Sequence, residues 1–174
     1  MNPIKEDIII DSCVLQKAGG NDKQKSQAIK KVLEALSYRY NLTISSFTVY
    51  EMFHGLWGKK AIVIKELLKQ YKWHQVSDNT LLVASGVGGL YHEENVDYMS
   101  PGDKIIAATA ILEKGFVLTE NHRDFPHPFF LTEQSIPVIY MTNAKFQKTI
   151  DLALYKPDIV LINRRIKELE FFHA

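Results

Sequence analysis

The 174-residue chain has a single cysteine, Cys13, which excludes an internal disulfide and any cysteine-based structural zinc site. Long apolar runs are missing too, and none approaches the roughly 18 residues that a membrane-crossing helix needs. Neither sign of charge is in excess. Lys and Arg number 21 against 20 Asp and Glu, for a net charge of +1. That balance excludes a protein that holds a polyanion by bulk charge and leaves only a local basic patch for such a partner. There is no repeat and no low-complexity stretch. The opening MNPIKED lacks the charged-then-apolar layout of a secretory signal, so a cytoplasmic protein with no membrane association is expected. What is present is globular: 46% hydrophobic and 24% charged residues. The length corresponds to about one domain, which buries about 70% of its unfolded surface without a staple.

The run Ile8-Ile9-Ile10 is short, β-branched and followed at once by Asp11, as in a buried parallel strand. After the break at Gly19-Gly20, Ala28, Ile29, Val32, Leu33, Leu36 and Tyr40 fall at helical spacing and predict a helix near 23–40. Leu42 to Ile44 reads as a second strand, and Ser45 or Ser46 caps a helix running to about Gly55 or Trp57. Val63 to Tyr71 marks another helix, Trp73 to Val76 a short strand, and Ser77 caps a helix towards Tyr91. Ser100-Pro101-Gly102-Asp103 is a helix start with a capping serine, a proline at the first position and an acid at the third. That helix ends before Gly115, a suitable C-terminal cap. Phe116 to Thr119 and Pro137 to Met141 are the remaining clear strands. Strands alternating with helices predict a three-layer α/β fold, a central parallel sheet flanked by helices. In the tail, Ile159 to Ile162 fits a strand, whereas Ile162, Ile166, Leu169 and Phe172 fit a helix stripe.

Ligands of open α/β sheets bind beyond the carboxyl ends of the strands. Asp11 stands there, and so does Thr119 to Asp124. Asp103 lies in the first turn of the helix preceding that second strand, and Glu51 on the polar side of the helix after Leu42–Ile44. Converging carboxylates repel one another, and a cation is the usual neutraliser. Oxygen-rich sites suit Mg²⁺ or Mn²⁺. The six histidines form no spaced zinc motif. Gly86, Gly88 and Gly89 lack the Lys-Ser or Lys-Thr of a phosphate loop and read as close helix packing. Lys59, Lys60, Lys104, Arg123, Arg164 and Arg165 form a candidate basic rim.

Four fragments, in order, carry a resemblance: Ile8-Ile9-Ile10-Asp11-Ser12; Ile44-Ser45-Ser46-Phe47-Thr48 leading to Glu51 and Gly55; Asp103-Lys104-Ile105-Ile106-Ala107-Ala108; and Leu118-Thr119-Glu120-Asn121-His122-Arg123-Asp124-Phe125. Together they resemble the PIN-domain family of metal-dependent ribonucleases, especially the short VapC-like toxins of toxin–antitoxin pairs. The resemblance implies a catalytic metal site of Asp11, Glu51, Asp103 and Asp124, holding Mg²⁺ or Mn²⁺. Ser12, Thr119, Asn121 and Arg123 are then its supporting or substrate-binding residues. It further implies endoribonuclease activity on RNA, an antitoxin that blocks the cleft, and a homodimer. It places the nuclease domain at 1–144 and leaves 145–174 as a C-terminal extension packing on the domain or on a partner subunit. The family usually has Asn two residues after the first Asp, where this chain has Cys13, and a thiol cannot replace both amide hydrogen bonds.

Two other readings stay open. One is a PIN-like RNA- or protein-binding module with impaired catalysis, which metal-dependent RNA cleavage would exclude. The other is an aspartyl phosphatase using Asp11 as nucleophile, for which a trapped phospho-Asp11 would speak.

Overall fold

The computed structural model describes residues 5–54, 56, 58–94 and 99–172, with side chains to residue 168. The chain begins with β1 (Asp7–Ile10), α1 (Ser12–Ala18), α2 (Lys23–Ser37), β2 (Asn41–Ser45) and α3 (Ser46–Phe53). It continues through α4 (Lys59–Leu68), β3 (Lys72–His74), α5 (Asp78–Glu93), α6 (Pro101–Leu112) and β4 (Phe116–Thr119). A 3-10 turn at His122–Asp124 precedes β5 (Phe130–Met141), β6 (Gln147–Pro157) and α7 (Ile159–Phe172).

These elements form one six-stranded sheet in the order β3-β2-β1-β4-β6-β5 with helices on both faces. β1 runs parallel to β2 and to β4, and β2 parallel to β3. The core strand is the Ile triplet: Ile8, Ile9 and Ile10 are fully buried. Ile8 and Ile10 pack on the α1, α2 and α3 side, while Ile9 faces the α5, α6 and α7 side. Burying each such side chain is worth about 1.5–3 kcal/mol.

The all-parallel expectation holds for four strands, and the other two depart from it. β6 is antiparallel to both β4 and β5. β5 starts at Phe130 rather than near Pro137, because Leu131 to Ser135 lie on the exposed sheet edge and show no inward alternation. The division expected at 144/145 falls inside the β5–β6 hairpin, so residues 147–157 are woven into the sheet. The tail beyond is helix: Ile162 is buried, and Ile166 sits over Gly86 of α5, where a Cβ would come within 2.9 Å of its side chain. Leu169 and Phe172 of that stripe lie outside the described side chains, as do Gly55 and Trp57 beyond α3.

Two glycines mark close approaches. At Gly115 a Cβ would stand 2.2 Å from the Asp7 carbonyl oxygen, so only hydrogen lets β4 draw alongside β1. The left-handed residue ending α6 is Lys114 (φ 53°), not Gly115. Gly102 is similarly hemmed in, by Phe47 and Glu51.

Candidate active site

Asp11 ends the central strand and is buried, 3% exposed. Its side chain caps α1 by accepting from the Cys13 N–H at 3.3 Å through Oδ1, with the Ser12 hydroxyl at 3.4 Å on the same oxygen. Oδ2 accepts from the Thr119 hydroxyl at 2.6 Å and from the Cys13 thiol at 3.1 Å. Burial, then the Asp11 charge, pushes the thiol up to about 12, so Cys13 stays a donor. The thiol and its own N–H thus make two bonds to Asp11, a finding that amends the expected loss of local support. Thr119 is itself fixed by accepting the Asn121 N–H at 2.8 Å.

Asp103 sits in the first turn of α6, where Ser100 caps the helix as predicted. The Ser100 hydroxyl accepts the Asp103 N–H at 3.2 Å and donates to Asp103 Oδ2 at 2.5 Å. Asp124 lies in the turn after β4, 3% exposed, with the Asn121 amide donating to its Oδ2. Burial, the charge of Asp103 and a hydrogen bond shared with Asp103 raise the Asp124 carboxyl to about 6. Arg123 opposes the rise, and Asp11 adds to it. Glu51, on α3, is also raised, first by burial and then by the charges of Asp11 and Asp103, against a hydrogen bond from Ser12.

The structure therefore links all four acids electrostatically. Asp124 feels Asp103 and Asp11, and Glu51 feels the same two. Among the described residues no three His, Cys, Asp or Glu side chains close on one metal-holding point. Two buried carboxylate oxygens, Glu51 Oε2 and Asp124 Oδ1, have no hydrogen-bond partner. A buried carboxylate oxygen without a donor is costly, and it is the kind of donor that a hard divalent cation takes. In donor type, these two oxygens suit such an ion. Asn121 supports Asp124 through its amide, and Thr119 supports Asp11. A hollow of about 1010 Å³ lies elsewhere: it opens at the amino ends of the strands, between Lys5, Lys30, Tyr71 and Lys72.

Sequence reasoning did not single out Ser100 as a partner of the Asp103 carboxylate. It also missed Tyr155 of β6, whose hydroxyl lies 2.9 Å from His122 Nδ1 beside the site loop. The serine signal was there, since a capping side chain three residues before an acid reaches it. Tyr155 carried none, because its pairing with β4 is long-range.

A sheet with this topology, with buried acids at the carboxyl ends of β1 and β4, defines a class of α/β proteins. Residues 8–128, well over half of the chain, match the PIN domain model, and the chain belongs to that family. The fold is similar to a chain of a solved structure described as a toxin–antitoxin complex from Klebsiella pneumoniae. The TM-score is 0.54 at 22% identity, covering 70% of this chain and 92% of that one. No curated protein matches it. No helix among the described residues is long and apolar enough to cross a membrane.

Proposed function

We propose that this chain is a divalent-metal-dependent endoribonuclease and the toxin of a toxin–antitoxin pair, acting in the cytoplasm. One observation carries the reading: the buried oxygens Glu51 Oε2 and Asp124 Oδ1 are left without donors, on two acids that both feel the charges of Asp103 and Asp11. Asp11, Glu51, Asp103 and Asp124 would hold Mg²⁺ or Mn²⁺. Such an ion, when bound, supplies an acidified water and neutralises charge on the leaving oxygen.

The protein's own part is positioning. Thr119 and Cys13 anchor Asp11 Oδ2, leaving Oδ1 only loosely engaged and aimed by the α1 cap. Ser100 orients Asp103, and Asn121 orients Asp124. Arg123, next to Asp124, supplies a cation towards the RNA phosphate. All the proposed ligands lie within residues 1–144, while β6 and α7, within 145–174, complete the sheet and cover α5. An aspartyl phosphatase needs a second acid close after Asp11; Cys13, a thiol at about 12, does not serve.

A protein partner is supported by α4, where Ile62 and Val63 are each 62% exposed. The fold neighbour's description names a toxin–antitoxin complex. A homodimer is part of the same proposal and is read by sedimentation. The deciding experiment incubates mixed RNAs with the chain, with Mg²⁺ or Mn²⁺ against chelator, beside Asp11→Asn. Metal-dependent cleavage leaving 5′-phosphate and 3′-hydroxyl ends, and lost in the variant, is expected. Binding of RNA without cleavage in either metal would leave the binding-module reading instead.

A further inference from the structure

Helix α3 presents more than Glu51. Phe47, Tyr50, Glu51 and His54 are spaced three and four apart, so they share one helix face. Phe47 is anchored: it packs against the Ala84, Ile105 and Ala108 cluster, and it meets Gly102 together with Glu51 Oε1. Tyr50 follows, its ring centroid 5.8 Å from that of Phe47 at 44°, and His54 lies 5.8 Å further on at 56°. Both neighbours are tilted, and Tyr50 remains 60% exposed.

From Gly102, beside Asp103, the order runs to Glu51 and Phe47, then Tyr50, then His54. From Phe47 to His54 the row is roughly 10 Å long. Tyr38, Trp73 and Phe146 are exposed aromatics as well, but they stand on other elements. Among the described residues, the α3 row is the exposed aromatic group that shares a helix face with an acid of the cluster.

We propose that this face is a base-stacking platform, seating an unpaired nucleotide of single-stranded RNA on Tyr50 while its phosphate lies at the acids. The proposal rests on the nuclease reading and adds the side chains that grip the substrate beside the acids. Every base offers a π-face to an aromatic ring, whereas bases inside a duplex are already stacked. Phe47 braces the row from the buried side, and His54 extends it.

Binding is measured by fluorescence anisotropy on the full chain carrying Asp11→Asn, in Mg²⁺, using a labelled single-stranded RNA and a duplex of the same sequence. Tyr50→Ala should weaken single-strand binding by about 5- to 150-fold, the range for one stacked base. Tyr50→Phe should restore it, and Tyr38→Ala, an exposed tyrosine elsewhere, should leave it unchanged. In steady-state cleavage by the chain with Asp11 intact, the Tyr50→Ala loss should sit in KM rather than kcat. If no metal supports cleavage and single-strand binding still depends on Tyr50, the nuclease reading fails and the platform stands. Tyr50→Ala binding like its parent, a parent that prefers duplex or binds no RNA, or a defect confined to an antitoxin's grip would each overturn the platform.

Discussion

The Cys13 thiol and the Thr119 hydroxyl converge on one oxygen, Asp11 Oδ2, at 3.1 and 2.6 Å. Because Cys13 is a protonated donor, its work is orientation. Cys13→Ala and Thr119→Val should each lower stability by about 1.5–3 kcal/mol, the scale of hydrogen bonds to a charged group. Together they should cost other than the sum, since they serve the same atom. Denaturant melts of the two single variants and the double variant check this; strict additivity would show that the two donors act separately.

The Asp124 carboxyl, raised to about 6, binds its proton more tightly folded than unfolded. Such a group stabilises the metal-free protein fully below its ordinary value of 3.8, and that contribution is lost as pH rises through 6. A cation must displace the same proton. Apparent Mn²⁺ affinity should therefore climb between about pH 5 and 7, and the melting temperature should gain more from Mn²⁺ at pH 7 than at pH 5. Equal gains at both pH values would exclude Asp124 from the proposed ligands.

Asp103→Asn deletes one charge from a cluster whose members repel. Metal-free stability should hold, because the Ser100 cap on the residue 103 N–H is untouched. Mn²⁺ stabilisation and RNA cleavage should both fall by more than about tenfold. A variant that titrates Mn²⁺ like the parent in a thermal-shift series would exclude Asp103 as a ligand.

Far from the acids, Glu113 joins α6 to the start of β3. Burial pushes its carboxyl up, but hydrogen bonds from His74 (2.6 Å) and Lys72 (3.1 Å) prevail and bring it down to about 2. With a folded value below the ordinary 4.5, it stabilises the chain above that pH and loses its contribution as pH falls towards 2. Glu113→Gln should lower the melting temperature by a few degrees at pH 7, and the gap should close in acid. A gap that persists undiminished near pH 2 would show that packing, not charge, sets the effect.

Much of this architecture was readable locally. Ile8 to Asp11 announces a buried strand ending in an acid, and Ser100-Pro101-Gly102-Asp103 carries its own capping chemistry, so both sit where the sequence puts them. The β5–β6 pair was hard to read because Thr132, Glu133, Gln134 and Ser135 line an exposed edge, where polar residues satisfy strand geometry as well as loop geometry. The four acids could be named from the resemblance, whereas the raised carboxyls of Asp124 and Glu51 depend on burial and distances that no spacing rule encodes. The donor role of Cys13 was hidden for another reason. A thiol is a weak donor in general, and here burial beside a carboxylate keeps it protonated.

β6 lies between β4 and β5, although both precede it in the chain. During synthesis, a chain that has emerged only as far as Met141 holds every proposed ligand and still has a bare β4 edge. β5 has no neighbour to pair with until residues 147–157 arrive and slip between them. The sheet therefore closes last at its centre-right seam, and until then the unpaired β4 edge is open to other strands. The fold is in effect completed by β6, which also braces the loop after β4 through the contact between Tyr155 and His122.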